Sequence, residues 1–270
     1  MSDYRHYYTS DDLSLTQAHS YTLLLQVDVN SFSYAIIQGR QLLSWGENYL
    51  LDELRDPKLL RDILTANYNL VVTGLQSTGF TLLPHALFDI KRISDVARLL
   101  DVTNTEKVKA EEVDESNMII YKVDEVLTYA VKDLDNQNVL YTDAGWIKAI
   151  AAAHPLSANL YLNVVSDTVS IVNFTNSTLR FYNTFKFKNQ DELAYYCALV
   201  ATELQIKPEN AKLILSGDIN DTDKYFSYLT NFFGQVQLND INILDMPLRN
   251  QSHKILSLAA LSLCASSEEN

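Results

Sequence analysis

The feature that most constrains this chain is an echo at half its length. Residues 23–37, LLLQVDVNSFSYAII, read as a short apolar strand, a polar turn and a second alternating strand, and residues 158–172, ANLYLNVVSDTVSIV, repeat that pattern at an offset of 135 residues. Internal repetition at a fixed period must be settled before any motif is read, because it decides how many like bodies the chain builds. At this offset Asp28 falls on Asn163, Ser31 on Ser166, Ser33 on Thr168 and Ile36 on Ile171, so polar turn residues meet polar turn residues.

Both copies continue alike. Gln41 to Leu50 and Thr178 to Phe187 are β-rich and complete a three-stranded meander in each half. A helix is expected next. In the first half Asp56 and Pro57 supply a cap and an N1 proline before Leu59, Leu60, Ile63 and Leu64; in the second, Asn189 and Glu192 form a capping pair before Leu193, Cys197, Val200 and Leu204, with Pro208 as the stop. A buried strand ending in glycine follows in each, Leu70 to Gly74 and Leu213 to Gly217. Asp221 or Asp223 then caps a helix carrying Tyr225, Phe226, Leu229 and Phe232, which Gly234 ends, and Gln235 to Leu238 forms a last strand before a terminal helix. Three strands, helix, strand, helix, strand, helix is the order of a ribonuclease-H-like lobe, so the expected fold is α/β with two such lobes facing each other across an interlobe cleft. The first lobe is placed at 1–156 and the second at 157–270, with His154-Pro155 at the boundary. Residues 101–117, containing EKVKAEEVDE, read as a polar, solvated connection, followed by structure at Met118 to Tyr121, a strand at Asn138 to Tyr141 and a helix from Trp146 to Ala153.

Composition narrows the function. A net charge of −13 opposes phosphate backbones, and no basic cluster interleaved with aromatics offsets it, so no nucleic-acid partner is expected. The longest apolar run, Ile255 to Ala265, is short of the roughly 20 residues a bilayer requires and reads as a buried helix. With no apolar leader in Met1 to Asp12, the chain is expected in the cytoplasm, without membrane insertion. Cys197 and Cys264 sit in helical patterns and read as buried thiols. The five histidines share no ligand spacing, so no metal site is expected; His253 reads as a packing residue, and no nucleophile is assigned. Tyr4, Tyr7 and Tyr8 form an aromatic cluster that reads as a docking element.

The opening Tyr21 to Asp28 followed by Phe32 to Ile36, together with the closing His253 to Cys264 helix, resembles a bacterial domain-of-unknown-function family, DUF3822, over nearly the whole chain. Beyond it, the repeated lobe order resembles the actin-like ATPase superfamily, which includes sugar kinases, chaperone ATPases and actin-like proteins of pilus assembly and type II secretion. That resemblance implies a first phosphate loop at Asp28 to Ser33, a second at Asn163 to Thr168, and an adenosine turn at Ser216, Gly217 and Asp218. It also implies ATP and magnesium, with one acid from each lobe near the metal: Asp28 fits, the partner position is Asn163, and Asp167 stands in for it from one turn along. Self-association is implied as well. Phosphate loops use glycine because backbone N–H groups must approach phosphate closely. Neither loop contains one, and the adenosine turn keeps a single glycine of the expected pair. The expectation is therefore a non-catalytic actin-like module with degenerate nucleotide-binding loops that binds or scaffolds a protein partner and uses no cofactor. The alternative is a divergent ATP- and magnesium-dependent ATPase or phosphotransferase acting through Asp28, Asp167 and the hydroxyls of Ser31, Ser33, Ser166 and Thr168.

Overall fold

The structure, a computed structural model, describes residues 4–135, 137–247 and 251–264. The chain divides into two compact units. One holds the residues up to Trp146, Ile243–Met246 and those from Leu258 onward; the other holds Ile147–Asn242 and Pro247–Ser257. His154-Pro155 thus lies within the second unit.

Along the first unit run β1 (Arg5–Thr9), β2 (Thr22–Val27), β3 (Ser31–Gln38), β4 (Gln41–Leu50), α1 (Arg61–Leu64), β5 (Leu70–Leu75) and β6 (Gly79–Pro84). They are followed by α2 (Ile93–Ala97), β7 (Glu106–Asp114), β8 (Asn117–Asp124), α3 (Glu125–Ala130), β9 (Gln137–Tyr141) and the start of α4 (Ala144–Ala152). Its main sheet has the order β1-β4-β3-β2-β5-β9, with β2, β5 and β9 parallel and the other pairs antiparallel. Central strands covered on both faces read as unbroken apolar runs, and Leu23, Leu24 and Leu25 of β2 are fully buried in succession. Both tryptophans, Trp45 and Trp146, are also fully buried in this unit.

The expected helix from Asp56 is reduced to the single turn α1. The Glu53 carboxylate explains it: its Oε2 accepts from the backbone N–H groups of Lys58 and Leu59 at 2.9 Å and of Leu60 at 3.2 Å, holding these residues as a loop around one oxygen. Leu59, expected on the apolar face, is 63% exposed.

The polar connection expected at 101–117 is instead largely β7, the edge strand of a second sheet of order β6-β8-β7. Two of its glutamates, which looked solvated in the sequence, are engaged. Glu106 accepts from Thr103 N at 2.8 Å, Thr103 Oγ1 at 3.0 Å, Lys122 Nζ at 3.1 Å and Thr78 Oγ1. The Thr103 amide above all, then the Thr78 hydroxyl, hold its carboxyl down to about 2. Glu111 reaches β9, where its Oε2 accepts from Tyr141 N at 2.7 Å.

The second unit carries β10 (Asn159–Val165), β11 (Thr168–Thr175), β12 (Thr178–Lys186), α5 (Gln190–Glu203), β13 (Lys212–Gly217), α6 (Lys224–Leu229), β14 (Gln235–Leu238) and the first part of α7 (Ser252–Ala260). Its sheet, β12-β11-β10-β13-β14, repeats the order β4-β3-β2-β5-β9 with the same parallel and antiparallel pattern. Here the expected cap forms: Asn189 Oδ1 accepts from Glu192 N at 2.9 Å, and Glu192 Oε2 accepts from Lys188 N at 2.8 Å. Leu193, Cys197, Val200 and Leu204 of this stretch pack into a core with Leu160, Leu162, Leu213 and Leu215.

Tyr4 and Tyr7 each stack on a ring of their own sheet. Tyr4 stacks on Tyr49 at 5.1 Å and Tyr7 on Trp45 at 4.2 Å, so the tyrosine cluster is in part the packing that adds β1 to β4.

Candidate functional site: two hairpins and a glycine turn

Turn geometry corrects the residue correspondence. In the first unit Val27 pairs with Phe32, leaving Asp28 to Ser31 as a four-residue connection closed by Asp28 N on Ser31 O at 2.8 Å. In the second, Val165 pairs with Thr168, so Ser166 and Asp167 alone make the turn, Ser166 in the left-handed region at φ 55°. Asn163, placed at the loop by the echo, lies inside β10, opposite Ser170 and Ser216, and is 2% exposed. The strand ends correspond as Val27 to Val165, three residues away from the offset of the echo. The slip arises because a shorter turn absorbs the difference while the alternation of apolar residues is kept.

The first loop presents a carboxylate at its tip. Val29 N–H donates to Asp28 Oδ1, and Val29 itself is 52% exposed. Ser31 opens β3 and Ser33 faces Gln26 across the ladder, both half-buried.

The second unit brings its candidates together. Asn163 pairs with Ser216 and Val164 with Gly217 in parallel register, so the glycine turn lies against the hairpin. Gly217 has φ +86°, and a Cβ there would stand 2.1 Å from Val164 O and 2.9 Å from Asn163 Oδ1. Close internal packing therefore requires this glycine, without appeal to a ligand. Asp218 N donates to Val164 O at 2.7 Å, and its carboxylate turns to the hairpin tip, where Oδ2 accepts from Ser166 N at 3.4 Å. Thr168 Oγ1 donates to Asp167 Oδ1 at 3.3 Å. In the first unit the Val29 amide thus faces Asp28, and in the second the Ser166 amide faces Asp218, with the Asp167 carboxylate exposed beside it. Asn163 Oδ1 and Ser216 Oγ are buried with no hydrogen-bond partner.

Among the described residues no group of three or more His, Cys, Asp or Glu side chains is gathered as a metal-ligand set. Nor is any helix among them long and apolar enough to cross a membrane. Cys197 and Cys264 are buried and are not joined in a disulfide, and burial pushes the Cys197 thiol up. His253 is 4% exposed on α7; burial first, then Lys254, hold its imidazole below the ordinary value.

What sequence reasoning missed is tertiary. Nothing in Asp218 announces that its carboxylate closes on a turn fifty-two positions earlier. Nor does Tyr129 announce a surface concavity of about 510 Å³ between the 3₁₀ turn Leu51–Leu54 and α3, where Arg55 and Lys132 lie over its ring at 5.1 and 3.8 Å. Acids and bases are mixed in that lining, so no one ligand chemistry is specified.

Two solved structures are similar along nearly the whole chain. A Bacteroides thetaiotaomicron protein with an actin-like ATPase fold and unknown function superposes with a TM-score of 0.75 at 20% identity, covering 93% of this chain and 98% of that one. A chain of a PilM–PilN type IV pilus biogenesis complex superposes with a TM-score of 0.64 at 11% identity, covering 90% and 98%. At these identities the likeness shows the fold alone, which is the actin-like ATPase fold. No curated protein matches the sequence. The model of a family described as protein of unknown function, DUF3822, matches residues 10–236, and the chain belongs to that family.

Proposed function

We propose that this chain is a non-catalytic actin-like protein of the cytoplasm that binds or scaffolds a protein partner and uses no nucleotide. The observation that carries the reading is the Asp218 carboxylate on the Ser166 amide, above a glycine already pressed to 2.1 Å of Val164 O at its missing Cβ. A phosphate arriving at that tip would have to displace a carboxylate of like charge, and a ring arriving at the glycine turn would meet a turn shaped for its own hairpin. The protein-holding part of the reading is supported by the PilM–PilN complex, an actin-like neighbour found with a protein partner.

The test is a thermal scan of the full chain with and without ATP and Mg²⁺, followed by a hydrolysis assay. A ligand that binds only the folded state raises the melting temperature, by about 2.7 kcal/mol of stabilisation at one hundred times its Kd. The expected result is an unchanged melt and no phosphate release. A Mg²⁺-dependent upward shift that Asp28→Ala abolishes, together with hydrolysis, overturns the proposal in favour of an ATPase or phosphotransferase.

A further inference from the structure

Long sheet edges carry unpaired backbone donors and acceptors, and folded proteins cover, shorten or block them. Most of the edges among the described residues are so treated. β1 and β14 are five and four residues long, β9 has its Tyr141 amide taken by Glu111, β6 ends in Pro84, and β7 carries Glu106, Lys107, Lys109, Glu111 and Glu112. The edge β12 is nine residues long, carries no acid, and has no further strand beside it among the described residues.

The direction of its backbone groups follows from the ladder. Phe187 N donates to Asp167 O at 2.8 Å, on the β11 side, and in an antiparallel pair alternate residues make such bonds. Phe185 and Asn183 therefore bond inward, while Lys186, Thr184 and Tyr182 turn N–H and C=O outward. Thr184 N accordingly finds no strand and donates to the side-chain Oδ1 of the adjacent Asn183 at 2.9 Å. That amide oxygen stands where a neighbouring strand's carbonyl would be.

Beside the edge runs a half-open aromatic wall. Phe185 of β12 stacks on Tyr196 of α5 at 4.7 Å, and Tyr195, 60% exposed, meets Tyr196 edge-on at 5.5 Å. Charge sets the chemistry. In a chain of net charge −13, residues 178–188, TLRFYNTFKFK, hold Arg180, Lys186 and Lys188 and no acid. The acids at the start of α5 are engaged locally: Asp191 accepts from Tyr228 Oη and Glu192 from Lys188 N.

We infer that the β12 edge is a docking site for an extended acidic segment of a partner protein, which adds as a strand, pairs with Thr184 and Lys186, and lays alternate apolar side chains against Phe185 and Tyr195. Main-chain pairing supplies affinity in this mode, and the side chains supply selectivity. The inference deepens the reading of the chain as a protein-holding module and rests on it only in taking the partner to be a protein.

The test uses the full chain and fluorescein-labelled peptides alternating Glu with Val, or Lys with Val, read by fluorescence polarisation. The acidic peptide is expected to bind saturably and at least ~10-fold more tightly than the basic one, with added salt weakening it. Thr184→Pro removes an outward donor and leaves the β11 ladder intact, so it should cut acidic-peptide binding about 10-fold without lowering the melting temperature. Should that variant fail to fold, Lys186→Glu with Lys188→Glu tests the same edge by reversing the peptide preference. Equal binding of both peptides, binding of neither, or no effect of either variant overturns the inference, as does a dimer in sedimentation that Thr184→Pro dissolves, which would assign the edge to a second copy. None of these readouts involves nucleotide, so the inference and the non-catalytic reading fail separately.

Discussion

The two main sheets have one strand order and two different finishes. In the first unit β4 receives β1, fixed by Tyr7 on Trp45, and the first hairpin is a four-residue connection around Asp28. In the second unit β12 receives nothing among the described residues, and the hairpin is a two-residue turn over which Asp218 closes. The difference teaches that strand order and site chemistry are separable. The apolar alternation that places β2 and β10 at the centre of their sheets leaves turn length, edge cover and tip charge free to diverge.

The sharpest way to break this comparison uses the glycines at matching strand ends. Gly217→Ala places a methyl against Val164 O in a left-handed backbone, whereas Gly74→Ala meets Thr142 Cα at 3.0 Å and Leu261 Cδ2 at 3.1 Å in ordinary backbone. The first is expected to cost about 3 kcal/mol and the second about 1 kcal/mol, measured by urea unfolding followed by circular dichroism. A larger loss from Gly74→Ala would show that the hairpin-bound glycine of the second unit is not the constrained one.

Next in size is the edge cover. Tyr7→Ala removes a ring stacked at 4.2 Å on Trp45 and is expected to destabilise the first unit by about 2 kcal/mol. Both tryptophans belong to that unit, so indole fluorescence isolates its transition. An unshifted fluorescence midpoint would mean that β1 adds no stability to β4.

The smallest effect is a pH slope in the second unit. His253 has its imidazole held below 6.5 by burial and by Lys254, while Ile219 O and Asp221 act in the opposite direction. The unfolded chain takes up the proton at higher pH than the folded chain, so this residue subtracts stability as pH falls below 6.5 and subtracts none above it. His253→Gln should flatten the fall in unfolding free energy over that acid range by about 1 kcal/mol or less, read from urea unfolding at successive pH values. A slope identical in both proteins would remove His253 from the account.

Much of the fold was legible because its signals are local. Leu23 to Leu25 are apolar in succession because both faces of β2 are covered, and Asn189 with Glu192 forms its cap within one turn of α5. The misreadings share a different cause. Glu53 gathers three amides from a segment whose own residues spell a helix start, and β7 reads as solvated because its glutamates find Thr103, Lys122 and the Tyr141 amide only after folding. At the candidate site, the missing glycines were visible in the sequence, while the carboxylate at the Ser166 amide comes from a residue that only parallel strand pairing brings near.

The turn Leu261–Cys264 has a consequence for synthesis. Gly145 has room for no side chain because the carbonyl of Ala260 would lie 2.4 Å from it, Leu261 reaches Gly74, and Cys264 O accepts from Asn138 Nδ2 at 3.3 Å. Residues 147–242, the body of the second unit, are synthesised between the strands of the first unit and the segment that completes its packing. The first unit therefore waits, unfinished, while its neighbour is made.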